Sequence, residues 1–485
     1  MPTRIIQSAA QAEEGALVDV SHVLFVLPAE RPSSLPYAAA LDARLKRGRQ
    51  QYSDLGKSAI TVDLPNGTAA SWVAIDYRLD TFQRHTLLRK AIKPLLNEKP
   101  QQLVICVYGE EVSRSSAARD AVYVALVNAV DLPTRKTRQE AKGLETLVVH
   151  GFESGDEFAE AKALALGNIL ARELTILPPN ELTPTLYRER IRELAQQYGW
   201  QHEEFDMDRL RQLGAGAFVA VAQGSQPQDA AIVHLSYTPQ RADKNVALIG
   251  KGICFDTGGH NLKPARWMQG MHEDMNGSAV ALGILVAASE VGLPMRIDCW
   301  LAIAQNHIGP GAYKQNDVVT ALNGMTIEVV HTDAEGRMVL SDTLTLASRA
   351  KPDFMLDFAT LTGSMGEALG QRYSGILGNR PELLSKAMEA GRAAGERVAA
   401  FPFDEDYDEE LESSVADIKQ CTLEGGADHI LATRFLSKFI EGDIPWVHVD
   451  LSSSNHKGGL GAVASDVTGF GVGFGMQMLR VIAET

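Results

Sequence analysis

Val246-Ala247-Leu248-Ile249-Gly250-Lys251-Gly252-Ile253-Cys254-Phe255-Asp256-Thr257-Gly258-Gly259-His260-Asn261-Leu262-Lys263 runs from an apolar stretch into a glycine-rich loop bearing ionisable side chains. Val246 to Ile249 reads as a buried strand. In open α/β sheets ligands gather where strands end, so Lys251, Asp256 and Lys263 stand where chemistry is expected. Glycines at 252, 258 and 259 let the backbone turn tightly and approach a ligand. Taken alone, the segment equally suits a strand-to-loop turn with exposed lysines.

On either side the pattern alternates. Strand-like runs are expected at Phe218 to Ala222, Ala231 to Ser236, Ile297 to Ala304, Glu328 to His331 and Phe354 to Phe358. Helix-like runs lie at Ser278 to Val291 and Leu340 to Ser348. Such alternation implies a mixed, largely parallel sheet covered by helices on both faces. Upstream, a helical stretch from Gly155 to about Thr175 is broken by Pro178-Pro179-Asn180. A new helix is expected to start at Thr183-Pro184, with Thr183 as N-cap and Pro184 in the first turn. The predicted layout is therefore two α/β domains, a smaller one over 1–160 and a larger one over 165–485.

The first 150 residues carry strands at Ser21 to Leu27, Ala59 to Leu64, Trp72 to Tyr77 and Leu103 to Tyr108. Helices are expected at Ala38 to Gln51 and Ser115 to Val130. No catalytic cluster stands out there. Gly109-Glu110-Glu111 and the charge run from Lys136 to Lys142 read as solvated loops.

Composition narrows the function classes. The 485 residues are 45% apolar and 22% charged, as in globular proteins, and their number suits two or three domains. Lys+Arg 46 against Asp+Glu 61 gives a net charge of -15, which argues against nucleic acid as partner. Cys106, Cys254, Cys299 and Cys421 are scattered among apolar neighbours without a Cys-x-x-Cys, and read as buried reduced thiols. The N-terminal stretch has no leader-like apolar core, and Ala279 to Ala288 is far too short for a membrane span. A cytoplasmic protein without membrane contact is expected.

Two further segments carry chemistry. Met271-His272-Glu273-Asp274-Met275-Asn276-Gly277 precedes an apolar helix, where Asp274, taken alone, is accounted for as a complement to the helix dipole. Thr332-Asp333-Ala334-Glu335-Gly336-Arg337 follows the run Ile327 to Val330. If the extended backbone continues, Asp333, Glu335 and Arg337 share one face. Two carboxylates so placed repel one another unless a cation sits between them. The competing expectation is an ion pair of Arg337 with either acid.

Other motifs fail on spacing. His272-Glu273 lacks the second histidine of a metalloprotease helix, because position 276 is Asn. The glycines at 471, 473 and 475 open no βαβ unit, and neither a phosphate loop nor Gly-x-Ser-x-Gly occurs. His307, His331 and His448 read as core or supporting residues.

Together these segments resemble the cytosolic leucyl aminopeptidase family. That family's Asn-Thr-Asp-Ala-Glu-Gly-Arg signature appears here as His331-Thr332-Asp333-Ala334-Glu335-Gly336-Arg337. Its Gly-Lys-Gly-x-x-Phe-Asp-x-Gly-Gly loop falls at 250–259, and its Asp-Met-x-Gly at 274–277. Leu177 to Pro184, Ala359 to Gly363 and Thr468 to Val472 match too, so the likeness covers roughly 165 to 485. The resemblance implies a peptidase acting on peptides with a free N-terminus, with two divalent ions, Mn2+ or Zn2+, on Lys251, Asp256, Asp274, Asp333 and Glu335. It implies a catalytic role for Lys263, and for Arg337 with a bound bicarbonate. Met271, Thr360 and Leu361 fall in the implied substrate pocket, and a homohexamer is implied as well. Two departures stand out: His331 for Asn, and Leu451-Ser452-Ser453-Ser454-Asn455 where the family commonly has Ile-Ala-Gly-Thr-Ala. The alternative reading is an oligomeric scaffold or DNA-binding regulator with secondary peptidase activity.

Overall fold

The computed structural model describes residues 3–137 and 143–484, so most of the charge run at 136–142 lies outside the described residues. The chain divides into two compact units. The first comprises Met1–Ile169, Arg392–Glu396 and His456–Thr468. The second comprises Leu170–Gly391, Arg397–Asn455 and Gly469–Thr485.

Among the described residues the first unit has six strands: β1 (Arg4–Ser8), β2 (His22–Pro28), β3 (Ile60–Asp63), β4 (Ala69–Ile75), β5 (Gln102–Val107) and β6 (Thr146–His150). They form one sheet in the order β1-β6-β5-β2-β4-β3. Only β3 runs antiparallel to its neighbour. The strands β2 and β4 are buried along nearly their whole length, which is why, His22 and Ser71 aside, they are apolar instead of alternating. Helices Thr81–Asn97 and Glu111–Asn128 pack on the sheet. The segment His456–Thr468 is tied in by side chains: Arg89 donates to the carbonyls of Gly458 and Val463. Asn128 donates to the Ala462 carbonyl and accepts from the Ala464 amide, each at 2.7 Å.

The second unit opens with β7 (Gln201–Asp206), β8 (Ala231–Tyr237), β9 (Asn245–Asp256) and β10 (Arg296–Asn306). Next come β11 (Val318–Thr320), β12 (Thr326–Glu328), β13 (Phe354–Ala359) and β14 (Ser374–Gly378). The last are β15 (Val398–Ala400), β16 (Ile418–Lys419) and β17 (Trp446–Asp450). An eight-stranded sheet has the order β15-β14-β17-β13-β9-β10-β8-β7, and β11, β12 and β16 make a small one. The four central strands β17, β13, β9 and β10 are mutually parallel. Their C-terminal ends therefore form one edge. Helix Asn276–Glu290 is buried over almost its full length, and helix Glu335–Arg349 nearly so, as expected of helices covering a parallel sheet.

The N-cap expected at Thr183 is present, its hydroxyl accepting from the Leu186 amide at 3.4 Å, with Pro184 in the first turn. Two local expectations are corrected. Phe218 to Ala222 belongs to a helix, Gly216–Ala222, and not to a strand. Five apolar residues in a row have no period, so such a run does not discriminate between the two. Here the Phe218 amide donates to Asp342 Oδ2 at 2.8 Å, which satisfies a free donor of the first helical turn. The run near Glu328 to His331 also ends early. β12 stops at Glu328, and the Ala334 amide closes a turn onto the His331 carbonyl at 3.1 Å. Glu335 then opens a helix, where an acid complements the dipole. Asp333 and Glu335 are thus not two positions on one strand face; a turn followed by a helix start brings them together.

Candidate metal centre and active site

The ionisable groups converge at the C-terminal edge of the parallel strands. Asp256 ends β9, Asn306 ends β10, Thr360 follows β13 and Asp450 ends β17. Lys251 lies within β9, where its buried side chain meets the N-terminal turn of the helix Glu335–Arg349. Gly336 permits that approach: a Cβ added there would sit 2.7 Å from Lys251 Nζ. Gly258, at φ +84°, turns the loop after β9 so that Lys263 folds back over Asp256.

Two lysines share four acids. Lys251 Nζ lies 2.9 Å from Asp274 Oδ1, 2.9 Å from Glu335 Oε1 and 2.9 Å from the Thr360 carbonyl, to which it donates. Lys263 Nζ lies 2.9 Å from Asp256 Oδ2 and in close contact with Asp333 Oδ1. Asp256 Oδ1 accepts from the Gly258 amide and from Asn306 Nδ2, both at 2.8 Å. The Asn306 amide also donates to the Thr332 carbonyl at 3.0 Å, and the buried Tyr313 hydroxyl donates to the same carbonyl at 2.6 Å. Thr360 Oγ1 donates to Asp274 Oδ1 at 2.7 Å.

The electrostatics are those of crowded, buried carboxylates. Burial, with the charges of Glu335 and Asp256 adding to it and Lys251 opposing, pushes Asp274 up to about 8. Burial and the charges of Asp256 and Glu335 push Asp333 up to about 7. Glu335 is raised for the same reasons. Burial opposes charge on Lys251, yet Asp274, Glu335 and Asp256 outweigh it and hold the ammonium form above the ordinary lysine range. Lys263 is raised likewise.

These residues fit a divalent cation. Carboxylate oxygens of Asp256, Asp333 and Glu335 lie within 4.8 Å of one another. Asp274 Oδ2 is buried and has no hydrogen-bond partner among the described residues, an arrangement a cation would relieve. Such a set of carboxylate oxygens suits a divalent cation.

A cavity of about 680 Å3 opens over the cluster. Met271, Thr360 and Leu361, which the resemblance assigns to a substrate pocket, line it together with Leu451 from the departing 451–455 segment. Leu262, Trp267 and Leu423 stand exposed on its wall. His331 Nδ1 accepts from the Asp333 amide at 3.2 Å, a supporting position. His448 is buried against Asp357 at 2.6 Å, and His307 stands edge-on to Phe255. The four cysteines are free and buried.

Arg337 departs from both sequence expectations. It pairs with neither Asp333 nor Glu335. Its Nη2 donates to Asp428 Oδ1 and Oδ2 at 2.8 and 2.9 Å, and its Nη1 donates to the Gln420 carbonyl at 2.9 Å. Nε is sealed from solvent. A bicarbonate ion does not fit here, because its place on the guanidinium is filled by a carboxylate of the chain. Asn306, Gln420 and Asp428 were not singled out in the sequence: each is one polar residue with no local pattern, and Asp428 lies 91 residues from its partner.

A buried acid-and-lysine cluster at the carboxyl edge of a parallel sheet, open to a cavity, defines a metallohydrolase class of site, and the comparisons specify which. Residues 169–475 match the cytosol aminopeptidase family, catalytic domain. A probable cytosol aminopeptidase of Stutzerimonas stutzeri is 38% identical over 86% of this chain and 86% of its own length. One from Pseudomonas fluorescens is 42% identical over 61% and 59%. Among solved structures, the bottromycin maturation enzyme BotP in complex with Mn superposes with a TM-score of 0.84 at 28% identity, covering 96% of this chain and 99% of that one. The chain belongs to the cytosol aminopeptidase family and is a metal-dependent aminopeptidase. Among the described residues no helix is long and apolar enough to cross a membrane.

Proposed function

We propose that the chain removes single N-terminal residues, preferably leucine or other apolar ones, from peptides by a two-metal mechanism. The observation that carries this is the convergence of Lys251, Asp256, Asp274, Asp333 and Glu335 around one buried point under a cavity. These five would hold two ions, Mn2+ or Zn2+. When bound, the ions supply Lewis acidity and a water that ionises near neutral pH. Lys251 would hold its ion as a neutral amine, a form that two neighbouring dications would favour over the ammonium.

The chain's own groups do the rest. Lys263, partly exposed to the cavity, is the cation that stabilises the oxyanion developing on the scissile carbonyl. Met271, Thr360 and Leu361 orient the side chain of the residue to be removed. Asp274 is held by Thr360, so one residue both shapes the cavity and fixes an acid. The first unit takes no part in the chemistry, which lies within 165–485. By family likeness the protein works in the cytoplasm as a homohexamer, and a solution mass near that of the 52.5 kDa chain would rule the hexamer out.

The test is an assay of metal-stripped protein on leucine p-nitroanilide and its N-acetylated form, with Mn2+, Zn2+ or Mg2+ added back. Release from the free-amine substrate alone is expected. Equal release from the acetylated form, or none with any metal, overturns the reading.

A further inference from the structure

Arg337 is buried, its side chain lines the catalytic cavity, and its counter-charge comes from far along the chain. Asp428 is the first residue of the helix Asp428–Ser437, and it lines the same cavity while remaining partly exposed. Its carboxylate takes both contacts on Nη2, and the Gln420 carbonyl occupies Nη1. The neighbouring fork, formed by Nε and Nη2, is closed as well, because Nε is out of reach of solvent. An unneutralised guanidinium in such a place would bind small carboxylates or carbonate bidentately.

We propose that Asp428 is a resident counter-anion: it fills the anion site of Arg337 from within the chain, so that the peptidase works without a small-anion cofactor. The inference rests on the aminopeptidase reading for its kinetic arm only. Asp428 is here a positioning residue. It holds Arg337, two residues beyond Glu335 on the first turn of the same helix, against the cavity wall.

Asp428→Ala would remove the carboxylate and leave a space of its own size beside a buried cation. Small anions of matching shape, formate or bicarbonate, should then enter. In bicarbonate-depleted buffer the wild-type enzyme should show the same kcat with and without added bicarbonate. The Asp428→Ala enzyme should lose about 10- to 100-fold in kcat with KM little changed, and formate or bicarbonate should restore much of the loss. Asp428→Asn, which keeps the volume and drops the charge, should be impaired and not rescued. A second readout needs no turnover: formate should raise the Tm of Asp428→Ala but not of wild type, and labelled bicarbonate should broaden on addition of that variant only.

Bicarbonate-dependent activity in the wild type overturns the proposal. So does an Asp428→Ala enzyme of unchanged kcat, or a folded Asp428→Ala protein that binds neither anion. If Asp428→Ala does not fold, the wild-type and Asp428→Asn arms still decide. If no variant shows peptidase activity, the anion-binding readouts separate failure of this proposal from failure of the aminopeptidase reading.

Discussion

Asn306 and Asp256 are register neighbours at the ends of two parallel strands, and the amide of the first holds the carboxylate of the second at 2.8 Å. The contact orients Asp256 so that Oδ2 faces Lys263. Residues that support a ligand from behind typically contribute about 10- to 100-fold in metal affinity. Asn306→Ala is expected to weaken Mn2+ binding by about that factor, read by competition with a chelator. Unchanged affinity would mean that the Gly258 amide alone suffices.

Gly336 sits where no side chain fits beside Lys251. In Gly336→Ala the new Cβ would fall 2.7 Å from Lys251 Nζ, so the lysine must withdraw from Asp274 and Glu335. Metal affinity and kcat are expected to fall together by about 10- to 100-fold. A variant that loses kcat with its metal titration intact would argue against this route.

Lys263→Ala and Glu335→Ala probe the chemistry directly. Loss of one preorganised charge at a developing oxyanion costs about 10²- to 10³-fold in kcat. Lys263→Ala should show that loss while retaining metal, whereas Glu335→Ala should lose activity together with metal. Circular dichroism should be unchanged in both. Full peptidase activity in either mutant contradicts the role assigned to it.

The acids also set a pH dependence. Asp333 and Asp274 titrate in the folded chain at about 7 and about 8, well above an ordinary carboxylate. Between the ordinary value and these, the folded state binds protons that the unfolded state does not, so stability falls as pH rises. Chelator-treated protein should therefore lose Tm from about pH 5 to about pH 8. Saturating Mn2+ should flatten the decline, since cations favour the ionised acids and displace protons. A chelated protein that gains stability over that range would exclude this account.

Thr183 offers a contrast away from the site. Its hydroxyl caps the helix Pro184–Tyr198, so Thr183→Ala should cost about 1 kcal/mol in chemical denaturation. Its kcat should match wild type; a changed kcat would link this helix to catalysis.

How far the molecule was legible from its sequence depended on whether information was contiguous. Lys251, Asp256 and Lys263 lie in one short stretch running from β9 into the loop after it, and Asp333 and Glu335 in one hexapeptide, so residue type and spacing brought them to notice and the family resemblance gave them roles. Their geometry was less legible. Glu335 enters on a helix, because a hydrogen-bonded turn at His331 to Ala334 intervenes and nothing in an apolar run shows where a strand stops. Phe218 to Ala222 was ambiguous for the same reason. Asn306, Gln420 and Asp428 could not be found at all, since their meaning comes only from strand register and from a helix that starts far along the chain.

The way His456–Thr468 is held has a practical consequence for anyone shortening the gene. Arg89 and Asn128 anchor that stretch, and both are encoded early. A product started at codon 165 would keep every acid and lysine of the centre, yet would leave the carbonyls of Gly458, Ala462 and Val463 without these donors. Insolubility of such a fragment would say nothing about its chemistry, and the cut is better replaced by substitutions within the whole chain.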